Sequence, residues 1–490
     1  MKFISGIKSI STGVLGMREE DLIHFSPTER LVWESDMEDA EIQQTWFPDV
    51  TRRSYESFKG RLRDRIYDMI LTTGPRNATS FQKIYLRHVK KMAVIHTLIR
   101  LGARRYANQL AIRLVHTAIR YDFTPMVVEL ARILVYHYSH TVRNQARTDE
   151  YYRLSLKYLQ HYQHEILAEK AYGDIMYYYG GRKHHGPQVR EIITKWLTRL
   201  QSLRAETNTT GFCLRYFLVA YIDKMSQHRI DDAMAVIREA LDYFNALDYD
   251  HAIPKVMFKN MLVQCHLLQG DLYSARVLLE ENARTPNGRN LTWANNKEML
   301  IRTAIAGKEY DLARQVVKEL NKWSVSPVGN KRTRDRVRLY DVYLGLATGQ
   351  LHKRMQKVLN TGLQQYSPDA KALDASMLIA ELVYHTMRDG STDFILMWHE
   401  KISLYIKRHL KSPRSRARIF LRLLLSLPRL KYDIAQYRRI SEKYLAKLRD
   451  LPRSASEDAE EVEIVPYEHL WEVVCGHVGV VPQTPASVTT

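Results

Sequence analysis

From about residue 55 to 450, apolar side chains recur at the three- and four-residue steps of a helix, and no run alternates apolar with polar between turn residues as a strand would. Ile230, Ala233, Val236, Ile237, Ala240, Leu241, Phe244 and Leu247 form one such stripe; Tyr310, Ala313, Val316, Val317 and Leu320 form another. The pattern predicts an all-α chain. Thr124-Pro125, Ser367-Pro368 and Ser412-Pro413 each set a hydroxyl ahead of a proline, whose absent N–H is not missed in a first helical turn. Ser26-Pro27-Thr28-Glu29 adds the returning glutamate of a capping box. Gly74-Pro75, Gly180-Gly181, Pro286-Asn287-Gly288 and Ser326-Pro327-Val328-Gly329 break the helices with short loops, which makes neighbours run antiparallel.

The helices recur at a steady interval. Steps of 42 from Gly102 land on Asn144, Gly186, His228 and Gly270, each ahead of an amphipathic helix, and Gly307, Gly349 and Gly390 follow at 37, 42 and 41. A small residue stands five or six positions beyond several of these marks: Ala107, Ala233, Ala275 and Ala313. A helical pair of this size cannot bury its apolar faces alone, so it stacks on its neighbours. The expected architecture is a right-handed solenoid of about eight or nine helical hairpins with a period of roughly 37–42 residues.

Between Leu262 and Leu279 the chain resembles the tetratricopeptide-repeat superfamily. Leu262 stands at the apolar position of a first helix, Gly270-Asp271 at the turn, Ala275 at the small crossing position and Leu279 at the large apolar position after it. Ala233, Ile237 and Ala240 after His228 match the second-helix pattern, whereas Lys259 and Val263 replace the first-helix aromatic and glycine. The resemblance extends over about residues 80 to 450 and implies a concave surface that binds peptides, proteins or RNA, with no catalytic residue.

Charge divides the chain further. The net charge is +19, yet residues 1–41 carry −5 and residues 451–490 carry −6, so the stretch between them carries about +30. Residues 1–54 are read as an acidic arm with a short helix, 55–450 as the solenoid, and 451–490 as an acidic, largely disordered tail. Basic residues concentrate twice: Lys331, Arg332, Arg334, Arg336 and Arg338 open one helix, and Lys407, Arg408, Lys411, Arg414, Arg416, Arg418 and Arg422 surround Ser412-Pro413. Arginine in both clusters fits two-pronged recognition of carboxylate or phosphate. The step from basic to acidic at residue 450 leads to the expectation that the tail folds back on these repeats with Tyr467 and Trp471 as anchors.

Motifs for chemistry are sparse. No phosphate-cradling glycine loop, serine elbow or cysteine–histidine arrangement occurs, and Cys213, Cys265 and Cys475 lie at no metal-like spacing. His161, His164 and Glu165 share a helical face without an evident further ligand, and His184-His185 reads as a polar connector. No cofactor, metal or catalytic residue is expected. Three cysteines, no apolar run of membrane-spanning length and no signal-peptide core give a cytoplasmic, uninserted protein as the expectation. Tyrosines are frequent, 30 against 12 Phe, and many adjoin basic residues. They are read mainly as rings half-buried between helices, and alternatively as stacking platforms for single-stranded nucleic acid. The chain is thus expected to be a non-enzymatic scaffold or adaptor for a protein or acidic peptide. The alternatives are an RNA or single-stranded DNA binder and a peptide-sensing regulator, and nothing in the pattern fixes an oligomeric state.

Overall fold

The computed structural model describes residues 25–34, 39–73, 78–179, 187–283, 291–325, 331–364, 371–389, 392–410, 415–430, 434–451 and 463–478. Among these residues the chain forms 21 α-helices and no strand, and most helices pack mainly on their neighbours in sequence. The caps at Ser367-Pro368 and Ser412-Pro413 lie outside the described residues, as do residues 1–24. At the start of helix Pro27–Glu34 the capping box forms as read: Ser26 N–H donates to Glu29 Oε2 at 2.8 Å, and Glu29 N–H to Ser26 Oγ at 3.4 Å. Thr124 departs from its expected role, because its hydroxyl donates to Glu165 on another helix and does not cap its own.

From residue 210 onward the repeat is regular. Hairpins begin at Thr210, Ala252, Leu291, Lys331, Lys371 and Arg416, that is, every 39 to 45 residues. Alternate helices touch as well as consecutive ones: Ala252–Gln269 meets Leu291–Ala306, and Lys371–Asp389 meets both Lys331–Ala347 and Arg416–Leu430. Such contacts bury the face that a lone hairpin would leave open.

The turns explain the even spacing of the marks. Gly102, Gly270, Gly349 and His228 all have left-handed φ, at +79°, +81°, +68° and +58°, and Arg143 and Lys308 adopt it beside Asn144 and Gly307. Each turn closes with an N–H returning to a carbonyl five or six residues back, as in Asp271 to His266 and Glu309 to Ala304, which satisfies carbonyls that a helix end leaves open. Ala107, Ala233, Ala275 and Ala313 are fully buried where the helices of a pair cross.

Before residue 210 the spacing misleads. Asn144 and Gly186 bracket a single 35-residue helix, Gln145–Tyr179, about 52 Å long, where the even marks imply hairpins. Its first half buries Tyr151 and Tyr158 against the helices from Ser80 to Tyr136; its second half buries Ala168, Ala171 and Ile175 against those that follow. The expected border at 54/55 cuts a third cluster, since Phe25, Val32 and Ile42 pack with Tyr55, Leu62, Ile66 and Met69.

Where the two halves of the long helix meet, turns from both sides converge. Phe81 stacks on His251 with ring centroids 4.0 Å apart, Tyr121 lies 4.8 Å from Tyr249, and Arg120 Nε reaches Asp248 at 2.7 Å. Beside them Glu165 accepts from Thr124 and Thr209 at 2.7 and 2.5 Å, and Asp122 accepts from the Thr210 N–H at 3.1 Å. His161 and His164 both turn Nδ1 to the Thr207 hydroxyl, at 3.0 and 2.6 Å. One hydroxyl has one proton, so one ring accepts there and the other donates. Burial drives the Asp122 pKa up to about 6 despite the Thr210 N–H, and the neighbouring Glu165 carboxylate raises it further.

Two expectations follow from this fold. Gly270→Ala places a side chain in a left-handed turn with nothing within 4 Å to clash, so the loss in chemical denaturation is the backbone term alone, about 1 kcal/mol. Asp122 binds its proton more tightly when folded, so its contribution is complete below about pH 4 and is lost as pH rises to about 6. Asp122→Asn keeps an acceptor for Thr210, and its unfolding free energy from urea titration rises above that of the parent chain between pH 4 and 7, by about 1–2 kcal/mol at the upper end.

Candidate functional site

The last described helix, Tyr467–Val478, is where the repeats meet acidic residues. It packs on the alternate helices Lys331–Ala347 and Lys371–Asp389 and touches Ile434–Arg449. Tyr467 and Trp471 are 1% and 2% exposed, and Leu470, Val474 and Cys475 are fully buried in the same cluster as the repeats. The Tyr467 ring stacks on Phe420 at 4.7 Å, with 7° between planes. Farther back, His469 Nδ1 lies 2.8 Å from the Tyr310 hydroxyl, and His477 comes so near the left-handed Gly349 that a Cβ there would sit 3.4 Å from its ring. A helix that capped only the final hairpin would end at residues 416–449. This one reaches residues 310 and 349, and so lies across the stack.

Arg416 holds it there. Read from the sequence as part of an open, ligand-binding basic cluster, Arg416 is 3% exposed. Its Nε and Nη2 grip both oxygens of Glu463 at 2.6 and 2.9 Å, Nη2 also donates to Glu468 at 2.9 Å, and Nη1 donates to the carbonyls of Leu448 and Leu451. All five guanidinium donors are engaged. Burial disfavours the charge, yet the carboxylates of Glu463 and Glu468 outweigh it and raise the Arg416 pKa. Glu463 also accepts the Tyr467 N–H at 2.9 Å, and Glu468 lies in the first helical turn, where the helix dipole favours an anion.

The remaining basic residues divide. Arg336 is turned inward, with Nη2 3.1 Å from Glu298, a 4%-exposed carboxylate that also accepts from the Tyr340 hydroxyl at 2.9 Å. Arg302 completes that group by donating to Tyr340 at 3.0 Å. Arg336 is therefore a structural partner and not part of an open cluster. Arg334 is half-buried, and Arg338 is exposed near Asp335. Arg418 donates to the Leu410 carbonyl at 3.2 Å, which ties its hairpin to the end of the preceding one. Lys407, Arg408 and Arg422 are exposed at that same corner. Lys411 and Arg414 lie outside the described residues, as do the side chains of Lys331 and Arg332.

The sequence reading passed over Glu298, Glu463, Glu468 and Glu381. Burial moves the Glu381 pKa up to about 7 on the helix that carries the C-terminal one. Only the Glu463–Glu468 spacing at the start of an amphipathic segment was a usable signal; the carboxylates inside longer helices look like ordinary surface residues. Of the tyrosines beside basic residues, Tyr151 and Tyr158 are buried and Tyr85 and Tyr152 exposed. Cations meet aromatic rings within the chain, Arg204 over Tyr216 at 4.6 Å and Arg104 over Tyr136 at 4.9 Å. Among the described residues, no three His, Cys, Asp or Glu side chains gather as metal ligands, and no helix is long and apolar enough to cross a membrane.

No protein-family model, curated protein or solved structure matches this chain.

Removing Arg416 leaves the buried Glu463 carboxylate, and the partly exposed Glu468 beside it, without their cation. Arg416→Met is expected to destabilise the chain by about 3–5 kcal/mol, with hydrogen exchange accelerated first in residues 463–478. Arg416→Lys should recover little, because an ammonium cannot bridge two carboxylates and two carbonyls at once.

Proposed function

We propose that the chain is a non-enzymatic helical-repeat adaptor, a right-handed tetratricopeptide-like solenoid of about eight or nine hairpins, whose inner face binds an acidic amphipathic helix of a partner protein. The observation that carries this reading is helix Tyr467–Val478, laid across alternate helices with its acidic start in the grip of Arg416 and its apolar side on Phe420 and the Lys371–Asp389 helix. The chain's own segment is then a resident ligand, and a partner with the same pattern of acids followed by apolar residues three and four apart competes for the place. A rigid repeat surface is ordered during folding, so that binding orders the ligand alone. We place the adaptor in the cytoplasm.

A cleavable site inserted between residues 456 and 457 tests this. After cleavage, a labelled peptide of residues 463–478 should exchange into the groove, and the Glu463→Gln, Glu468→Gln peptide should bind about tenfold more weakly. A cut protein that melts at once, or that never takes up the peptide, makes the helix a fixed part of the core and removes the proposal. The nucleic-acid reading rests on the exposed corner of Lys407, Arg408 and Arg422. It predicts single-stranded RNA binding whose affinity falls linearly with salt on logarithmic axes, at a slope set by the phosphates neutralised.

A further inference from the structure

Helix Gln145–Tyr179 serves two cores on two different faces, and a third face runs along both halves. On it lie Tyr152, Leu156, Leu159, Ile166 and Tyr177, each between 41% and 73% exposed. With the exposed Gln163, Lys170 and Gly173 they recur at alternating steps of four and three, the heptad pattern of a helix that pairs with another helix. The stripe extends for about 38 Å.

We propose that this stripe seats a second copy of the chain, with the two long helices docked antiparallel about a two-fold axis between His164 and Glu165. The occupant follows from the stripe's match to its own reverse. Turned end for end, Leu156 falls opposite Gly173, Tyr152 opposite Tyr177, Gln163 opposite Ile166, and Leu159 opposite the aliphatic stem of Lys170. Beside this seam the exposed Arg153 meets Asp174, which in its own chain pairs with Lys170. An isologous contact makes each pairing twice. A foreign helix would not require the stripe to be complementary to itself.

Gly173 supports this from a separate direction. Glycine inside a helix is less stable than alanine, and a Cβ at Gly173 would meet nothing within 4 Å among the described residues of its own chain. Gly211 shows the opposite case, where a Cβ would come within 3.0 Å of Glu165. Among the described residues no packing calls for glycine at 173, whereas Leu156 of a second copy fills the space above it. This inference does not depend on the groove reading, because the stripe lies on a different helix from the C-terminal contacts.

Sedimentation of the full chain up to on the order of 100 µM is the test. The expected species is a dimer. Leu156→Glu with Leu159→Glu should give a folded monomer, and Gly173→Leu should weaken association by about tenfold or more. Arg153→Asp should weaken it and Arg153→Asp with Asp174→Arg should restore it. Under oxidation, Leu156→Cys with Gly173→Cys should yield a covalent dimer, whereas Leu156→Cys alone should not, since the two copies of residue 156 stand about 25 Å apart along the pair. A chain that stays monomeric throughout, or a dimer untouched by the two glutamates, overturns the proposal.

Discussion

A helical hairpin of about forty residues has more apolar surface than it can hide within itself, and this constraint organises the whole chain. Each pair from Thr210 onward solves it by resting on the next, through contacts between alternate helices as well as consecutive ones. The remedy always moves the exposed face along by one unit, so the last pair needs something that is not another pair. Helix Tyr467–Val478 supplies it, and it covers more than the final unit by lying over faces that begin near residue 310.

Arg416 shows how such a seal is made specific. Apolar burial alone would hold Tyr467, Leu470, Trp471 and Val474 against many helical surfaces. A guanidinium that must find two carboxylates and two carbonyls at once accepts one arrangement. The same chemistry recurs around Glu298, where Arg302, Arg336 and Tyr340 converge on one buried carboxylate. The basic excess of the middle segment is thus spent partly inside the protein. Lys407, Arg408 and Arg422 are among the cations that stay outside.

The long helix Gln145–Tyr179 is the second departure from regularity. By changing its buried face between Tyr158 and Ala168 it joins two stacks end to end, which brings turns at residues 121–123, 207–210 and 248–251 into one junction. Polar side chains sit there because backbone ends sit there: the threonines and carboxylates satisfy turns that consecutive helices leave open.

The sequence by itself determined the helical class, the crossing alanines and the turns at Gly102, Asn144, His228, Gly270, Gly307 and Gly349. These depend on neighbours a few residues away: apolar steps of three and four, and a glycine or another left-handed residue at each turn. The apolar anchors Tyr467 and Trp471 could also be named, because a helical stripe after an acidic run is a local pattern. Tertiary structure alone decided that Arg416 and Arg336 turn inward while Lys407, Arg408 and Arg422 stay at the surface, since basic side chains on helices look alike in sequence until a distant carboxylate arrives. It also decided that residues 145–179 form one helix and not a hairpin, because a helix continues or breaks there according to which cores stand ready to receive its two faces.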